Sequence, residues 1–115
     1  MRPDTFTFGY GQVGGFGYVS IPTLDIVAPE GCTMVDTAGF YHSHLHSVDL
    51  PSTITRVAFR GMESGTFTRL IFRSINPPTL DNEYVLDGSY NNHNGCPIYV
   101  PDASVESYKT ASNEW

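Results

Sequence analysis

Residues 26–72, IVAPEGCTMVDTAGFYHSHLHSVDLPSTITRVAFRGMESGTFTRLIF, decide the fold, because this stretch matches itself when shifted by 22 positions. The shift lays Ile26, Ala28, Pro29, Cys32, Val35, Gly39, Leu45, Val48 and Leu50 onto Val48, Leu50, Pro51, Ile54, Val57, Gly61, Phe67, Leu70 and Phe72. A repeat of this length is one supersecondary unit that buries its apolar face only against its neighbours, so the chain reads as a solenoid. Each unit is a short strand, an apolar-Pro step such as Leu50-Pro51, and a return arc with apolar residues three apart. Strand alternation predicts Val48 and Leu50 inward, with Ser47 and Asp49 outward. Proline is tolerated at the strand end because its missing N–H falls where the ladder stops.

Beyond the repeat, Ile98-Tyr99-Val100-Pro101 ends in the same step, but Val100 lies 28 positions after Phe72. The excess falls in 81–95, DNEYVLDGSYNNHNG, a polar, turn-rich insertion. After Pro101, Asp102 or Ser104 can cap a short helix that carries Val105, Tyr108 and Trp115 at roughly helical spacing and closes the open end of the core. On the other side, residues 5–18, TFTFGYGQVGGFGY, alternate aromatic and small residues. Phe6, Phe8 and Tyr10 would share one strand face, the glycines would turn the chain, and Tyr18 to Ile21 would return as a second extended run halted by Pro22. The expected organisation is an N-terminal aromatic and glycine-rich hairpin or cap (1–23), repeats (24–80), and insertion, last strand and helical cap (81–115). Gly9, Gly11 and Gly14 have G-x-G-x-x-G spacing, but no helix follows to supply the positive dipole of a dinucleotide site.

The chain has 115 residues, of which only 16% are charged, against roughly 25% in typical soluble domains; one mostly β domain is implied. Twelve acids against six basic residues, a net charge of −6, exclude a sequence-independent grip on nucleic acid. No run approaches the roughly 18 apolar residues of a spanning helix, so membrane insertion is not expected. The first residues lack the basic and apolar regions of a secretory signal. Cys32 and Cys96, 64 positions apart, read as two separately placed thiols, with a bridge left open.

Phe40 to Met62, FYHSHLHSVDLPSTITRVAFRGM, resembles the repeat of BspA-like leucine-rich repeat proteins at Phe40, Leu45, Ser47, Val48, Leu50, Pro51, Ile54 and Val57. LIFRSINPPTL (70–80) followed by CPIYVPDASVESYKTASNEW (96–115) is similar to the C-terminal cap that often finishes such arrays. The two segments cover about two thirds of the chain. The resemblance implies a mostly β, short leucine-rich-repeat solenoid with irregular or 3-10 arcs and one C-terminal capping helix. It also implies a non-catalytic recognition or adhesion protein at a bacterial surface; related caps occur in phage proteins. This chain departs from the family in its shortness and its aromatic-glycine start. About two and a half repeats leave a solenoid marginal, so the hairpin, the insertion or a second copy in a homo-oligomer is expected to complete the core.

Chemistry-bearing groups are few. In an extended chain His42, His44 and His46 would share one face, with Asp49 and Asp36 as further candidate ligands. The repeat alignment makes them exposed imidazoles instead, and no metal or cofactor is expected. A serine (Ser43 or Ser47), a histidine and Asp49 can be combined on paper, but a triad is defined by geometry between distant elements. The chain has no G-x-S-x-G elbow, and no enzyme activity is expected. Arg56, Arg60, Arg69 and Arg73 form either a basic patch or outward positions paired with Asp49 or Glu63. The expected binding surface, for a protein or glycan, is Tyr41, His42, His44, His46 and Asp49 with Tyr90 and His93 of the insertion. A small self-assembling virion component is the alternative reading. Location follows the reading chosen: the cell surface, or the virion.

Overall fold

A computed structural model describes residues 7–8 (backbone only), 12–81, 85–86, 96–111 and 115. It is a β-solenoid of about three turns, with one short C-terminal helix. One sheet has the order β3 (Ser20–Val27), β5 (His44–Leu50), β7 (Thr66–Phe72) and β9 (Ile98–Tyr99). The other stacks β1 (Thr7–Phe8), β2 (Gln12–Val13), β4 (Met34–Val35), β6 (Arg56–Val57) and β8 (Thr79–Leu80). All neighbours run parallel except β1 and β2, as a solenoid requires of successive coils.

Register follows the apolar columns, because sliding a strand by one residue would turn its apolar set to water. Ile26, Val48, Leu70 and Ile98 stand in one column of the long-stranded sheet, and Leu50 pairs with Phe72. Val13, Val35, Val57 and Leu80 form the facing column of the other sheet. Ile26, Val48, Val13, Val35, Val57 and Leu50 are fully buried. Each such side chain stabilises the fold by about 1.5–3 kcal/mol relative to exposure. Leu70 opposite Ile98 is the 28-residue step read from the sequence, and the insertion that supplies its excess drops Val85 and Leu86 into the core.

The repeat glycines sit where the arc crosses the core. A Cβ on Gly61 would lie 2.7 Å from Val57 Cγ1 and 3.0 Å from the Ala58 carbonyl oxygen, and one on Gly39 would lie 3.0 Å from Gly14 Cα. Backbone N–H groups in the arcs satisfy carbonyls one coil away, as in Phe40 N–H to Gly61 O (2.7 Å) and Ala58 N–H to Val35 O (2.9 Å).

Three local expectations change. A hairpin exists, but its second arm is Gln12–Val13 rather than Tyr18 to Ile21. Strand β3 runs through Pro22 to Val27 and therefore across residue 23; proline is accommodated because β3 bonds to β5 through a shifted register between Ile21 and Asp25. Ser47 is 4% exposed instead of outward: Leu45 and Val48, three apart, both face the core, so the alternation breaks at His46 and draws Ser47 in.

A 3-10 turn at Asp102–Ser104 leads into α1 (Val105–Ala111). Tyr108 is buried on the core, while Val105 is 37% exposed and Trp115 lies beyond the helix end. Cys32 and Cys96 are both free thiols, Cys32 buried in the arc position it shares with Ile54.

Candidate functional site

The expected binding surface divides into three places. His44 and His46 lie on strand β5, exposed and partly exposed respectively. His46 Nδ1 is 2.6 Å from Asp25 Oδ1 on the preceding coil, and Ser47 Oγ donates to the same oxygen at 2.5 Å. Those two bonds, Ser47 first, hold the Asp25 carboxyl below its ordinary 3.8. Asp49 is engaged elsewhere: Arg73 Nε and Nη2 donate to its two oxygens at 2.7 and 2.8 Å, a bidentate pair between coils. Tyr90 and His93 lie outside the described residues.

His42 leaves the row expected of three alternating histidines. Its φ is +54°, so the backbone turns in the left-handed region before β5 begins and its ring swings to the solenoid corner. Among the described residues no group of three or more His, Cys, Asp or Glu side chains converges as metal ligands. Ser43 Oγ donates to the Phe40 carbonyl oxygen at 2.7 Å and Ser47 Oγ to Asp25, so neither hydroxyl is aimed at an imidazole.

At that corner the chain builds a cluster of rings. Tyr18 stacks on His42 with centroids 5.2 Å apart and planes 7° apart. Tyr41 stands edge-on to both, 5.7 Å from Tyr18 and 4.3 Å from His42. The Arg60 guanidinium lies 5.1 Å from the Tyr41 ring centroid and 5.3 Å from that of Phe59, and Nη1 donates to the Tyr41 hydroxyl at 3.0 Å. Tyr18 is 72% and Phe59 46% exposed, so this is surface and not core. Directly beneath, Phe16 stacks on buried Phe40 at 5.4 Å.

The corner is also where the backbone is strained. Tyr18, Ala38, His42, Arg60 and Ser64 all have φ between 54° and 61°. Coil geometry demands a left-handed residue there, since Ala38 and Arg60 occupy equivalent places, as do His42 and Ser64. It does not demand bulk: glycine enters this region without the Cβ clash that costs other residues about 1–2 kcal/mol. Three of the five positions nevertheless carry Tyr, His and Arg, and all three meet in one cluster.

The basic patch resolves largely into pairs. Arg56 is bidentate to Asp81 at 2.8 and 2.7 Å, holding that carboxyl below its ordinary 3.8, and Arg73 is bidentate to Asp49. Arg60 differs, its nearest carboxylate among the described residues being Glu63, 4.0 Å from Nε. Tyr18 and Phe59 were not anticipated as site residues. A signal for Tyr18 exists, because a shift of 24 lays Phe16, Tyr18, Ser20 and Ile21 onto Phe40, His42, His44 and Leu45.

Among the clefts that the described residues form are two at the flanks of the solenoid. One of about 240 Å³ is lined by Ile98, Val100, Val105, Tyr108, Lys109 and Trp115, and one of about 440 Å³ by Ser52, Ile54, Thr55, Ser74, Ile75, Asn76 and Pro77. Neither brings together an acid and a base. Among the described residues no helix is long and apolar enough to cross a membrane. Comparison with known family models, with curated proteins and with solved structures finds no match.

Proposed function

We propose that this protein is a non-catalytic recognition or adhesion module that binds a protein or glycan at a surface through the corner of its solenoid. One observation carries the reading: Tyr18, His42 and Arg60 hold costly left-handed conformations and converge, exposed, around Tyr41. Backbone strain of about 1–3 kcal/mol per residue persists where surrounding structure over-determines it, and it clusters at functional sites. Rings fixed by stacking also lose little conformational entropy on binding. The test is a screen of the chain against a glycan array and a panel of surface proteins, beside the Tyr18→Gly, Arg60→Gly double variant. Retention lost by the variant at a thermal stability no lower than the parent's is the expected result. Equal retention by both forms removes the corner from the reading.

A second reading, a self-assembling structural component such as a virion part, is favoured by a different face. Val27, Asp49, Ile71 and Tyr99 share one outward column of the long-stranded sheet, with Val27 59% and Tyr99 51% exposed and the Asp49 charge paired with Arg73. Light scattering over a range of concentrations separates the two. An assembly dissolved by Val27→Lys supports the structural role, and a monomer throughout supports the recognition module.

A further inference from the structure

The corner cluster supplies two kinds of contact that one ligand class would use together. The first is an open guanidinium. Arg56 and Arg73 each spend Nε and Nη2 on both oxygens of an aspartate. Arg60 has only the Tyr41 hydroxyl, on Nη1, as a hydrogen-bonded partner among the described residues, and a looser ion pair with Glu63, 4.0 Å from Nε. Its guanidinium is held beside two rings, and Nη2 with the second Nη1 hydrogen is left to donate to a carboxylate as a pair. Arg69 has no hydrogen-bonded carboxylate among the described residues either, and among them no ring lies over it as two do over Arg60. The second contact is a π surface. Tyr18 covers His42 with one face and, at 72% exposure, offers the rest of its ring to solvent. An aromatic face carries negative charge density and attracts the polarised C–H groups of a sugar ring, without requiring a hydrogen-bonding edge.

Resting on the recognition reading above, we propose that Tyr18, Tyr41, His42 and Arg60 form a binding site for a glycan bearing an isolated carboxylate, with the acidic sugar stacked near Tyr18 and its carboxylate on Arg60. Global charge refines the class. The chain carries −6, and Glu63 stands beside the fork. A dense polyanion is therefore repelled over most of the surface, whereas a single carboxylate is attracted locally within a screening length of about 8 Å. The site selects sparsely acidic sugars, with one carboxylate on a residue flanked by neutral ones.

The experiment uses the full chain on an array of sialylated, glucuronosylated and galacturonosylated oligosaccharides. Each is printed beside its methyl ester, with neutral glycans and a heparin tetrasaccharide as references, and hits are quantified by calorimetry. The expected result is binding of singly carboxylated glycans, weakened at least ~10-fold by esterification, the scale of losing a charge-assisted pair. Arg60→Lys, which keeps the charge and removes the fork, should cause a similar loss for the acid and leave the ester unchanged. Tyr18→Gly should abolish both, and melting curves confirm that the variants are folded. Equal binding of acid and ester, indifference to Arg60→Lys, stronger binding of heparin, or retention of no carboxylated glycan each overturns the proposal. Neutral glycans or a surface protein retained in a Tyr18-dependent manner would overturn the ligand class and leave the recognition reading standing. An array and protein panel without any Tyr18- or Arg60-dependent binding removes both.

Discussion

Two groups of aromatic rings, one at the C-terminal cap and one at the solenoid corner, do opposite things. At the C-terminal cap, Phe72, Tyr108 and Trp115 pack together, Trp115 edge-on to both partners at 4.9 Å, with Phe72 1% and Tyr108 3% exposed. The Tyr108 hydroxyl donates to the Ser74 carbonyl oxygen at 2.8 Å and shares a 2.8 Å bond with Ser74 Oγ. Its backbone is ordinary helix, and burial pushes its phenol above the usual 10.0. At the corner, Tyr18, Tyr41 and His42 are also in contact, but Tyr18 is mostly exposed and two of the three residues are in the left-handed region. Rings at the cap stabilise the fold by leaving water. Those at the corner stay in water at a conformational cost, so ring contacts by themselves do not tell a buried structural cluster from an exposed one; exposure and backbone strain do.

The contrast can be broken in several ways, and the largest effect belongs to the cap. Phe72→Ala should destabilise by about 3–5 kcal/mol, through lost transfer energy and a cavity under α1, read by chemical denaturation. A loss below about 1 kcal/mol there would mean that the cap is not holding the core closed. Tyr108→Phe keeps the ring and strips both hydroxyl bonds, leaving Ser74 with a buried unpaired group; about 1–3 kcal/mol is expected. Corner substitutions should move the other way: Ala38→Gly and Ser64→Gly relieve the same left-handed clash without touching the rings and should each gain up to ~1 kcal/mol. Destabilisation by both would show that the corner strain is absent.

Smaller effects come from titration and surface pairs. Burial raises the Cys96 thiol from 9.0 to about 11. For a group raised in the fold, nothing is lost below the unfolded value; stability falls as pH climbs from 9.0 towards about 11, and Cys96→Ala should flatten that alkaline limb of the melting curve. Asp25 and Asp81 are lowered, so their contribution is present above 3.8 and disappears as pH falls through the lowered values; Asp25→Asn should blunt the acid limb. Asp49→Asn, with Arg73 exposed, should have the smallest effect on stability of these variants, which a double-mutant cycle with Arg73→Gln would resolve.

By itself the sequence determined the solenoid, its 22-residue coil, the 28-residue step to the last strand and the closing helix. The physical reason is local and additive. Period-2 burial leaves one register that keeps Ile26, Val48 and Leu70 dry, and a change of spacing must be absorbed in a polar loop. Pairing of the outward arginines with Asp49 on a neighbouring coil was legible as one of two readings, and the structure assigns that partner to Arg73. The site was not. Alternating His42, His44 and His46 describe a shared face only while the chain stays extended, and one positive φ at His42 separates them. Tyr18 joins His42 only because the first coil is two residues longer than the next, and Arg60 reaches Tyr41 across a turn whose left-handed residue is set by coil closure. Such meetings depend on how the chain turns corners and on where long side chains swing between coils. Neither leaves a period in the sequence, so the tertiary structure alone decided which residues share the surface.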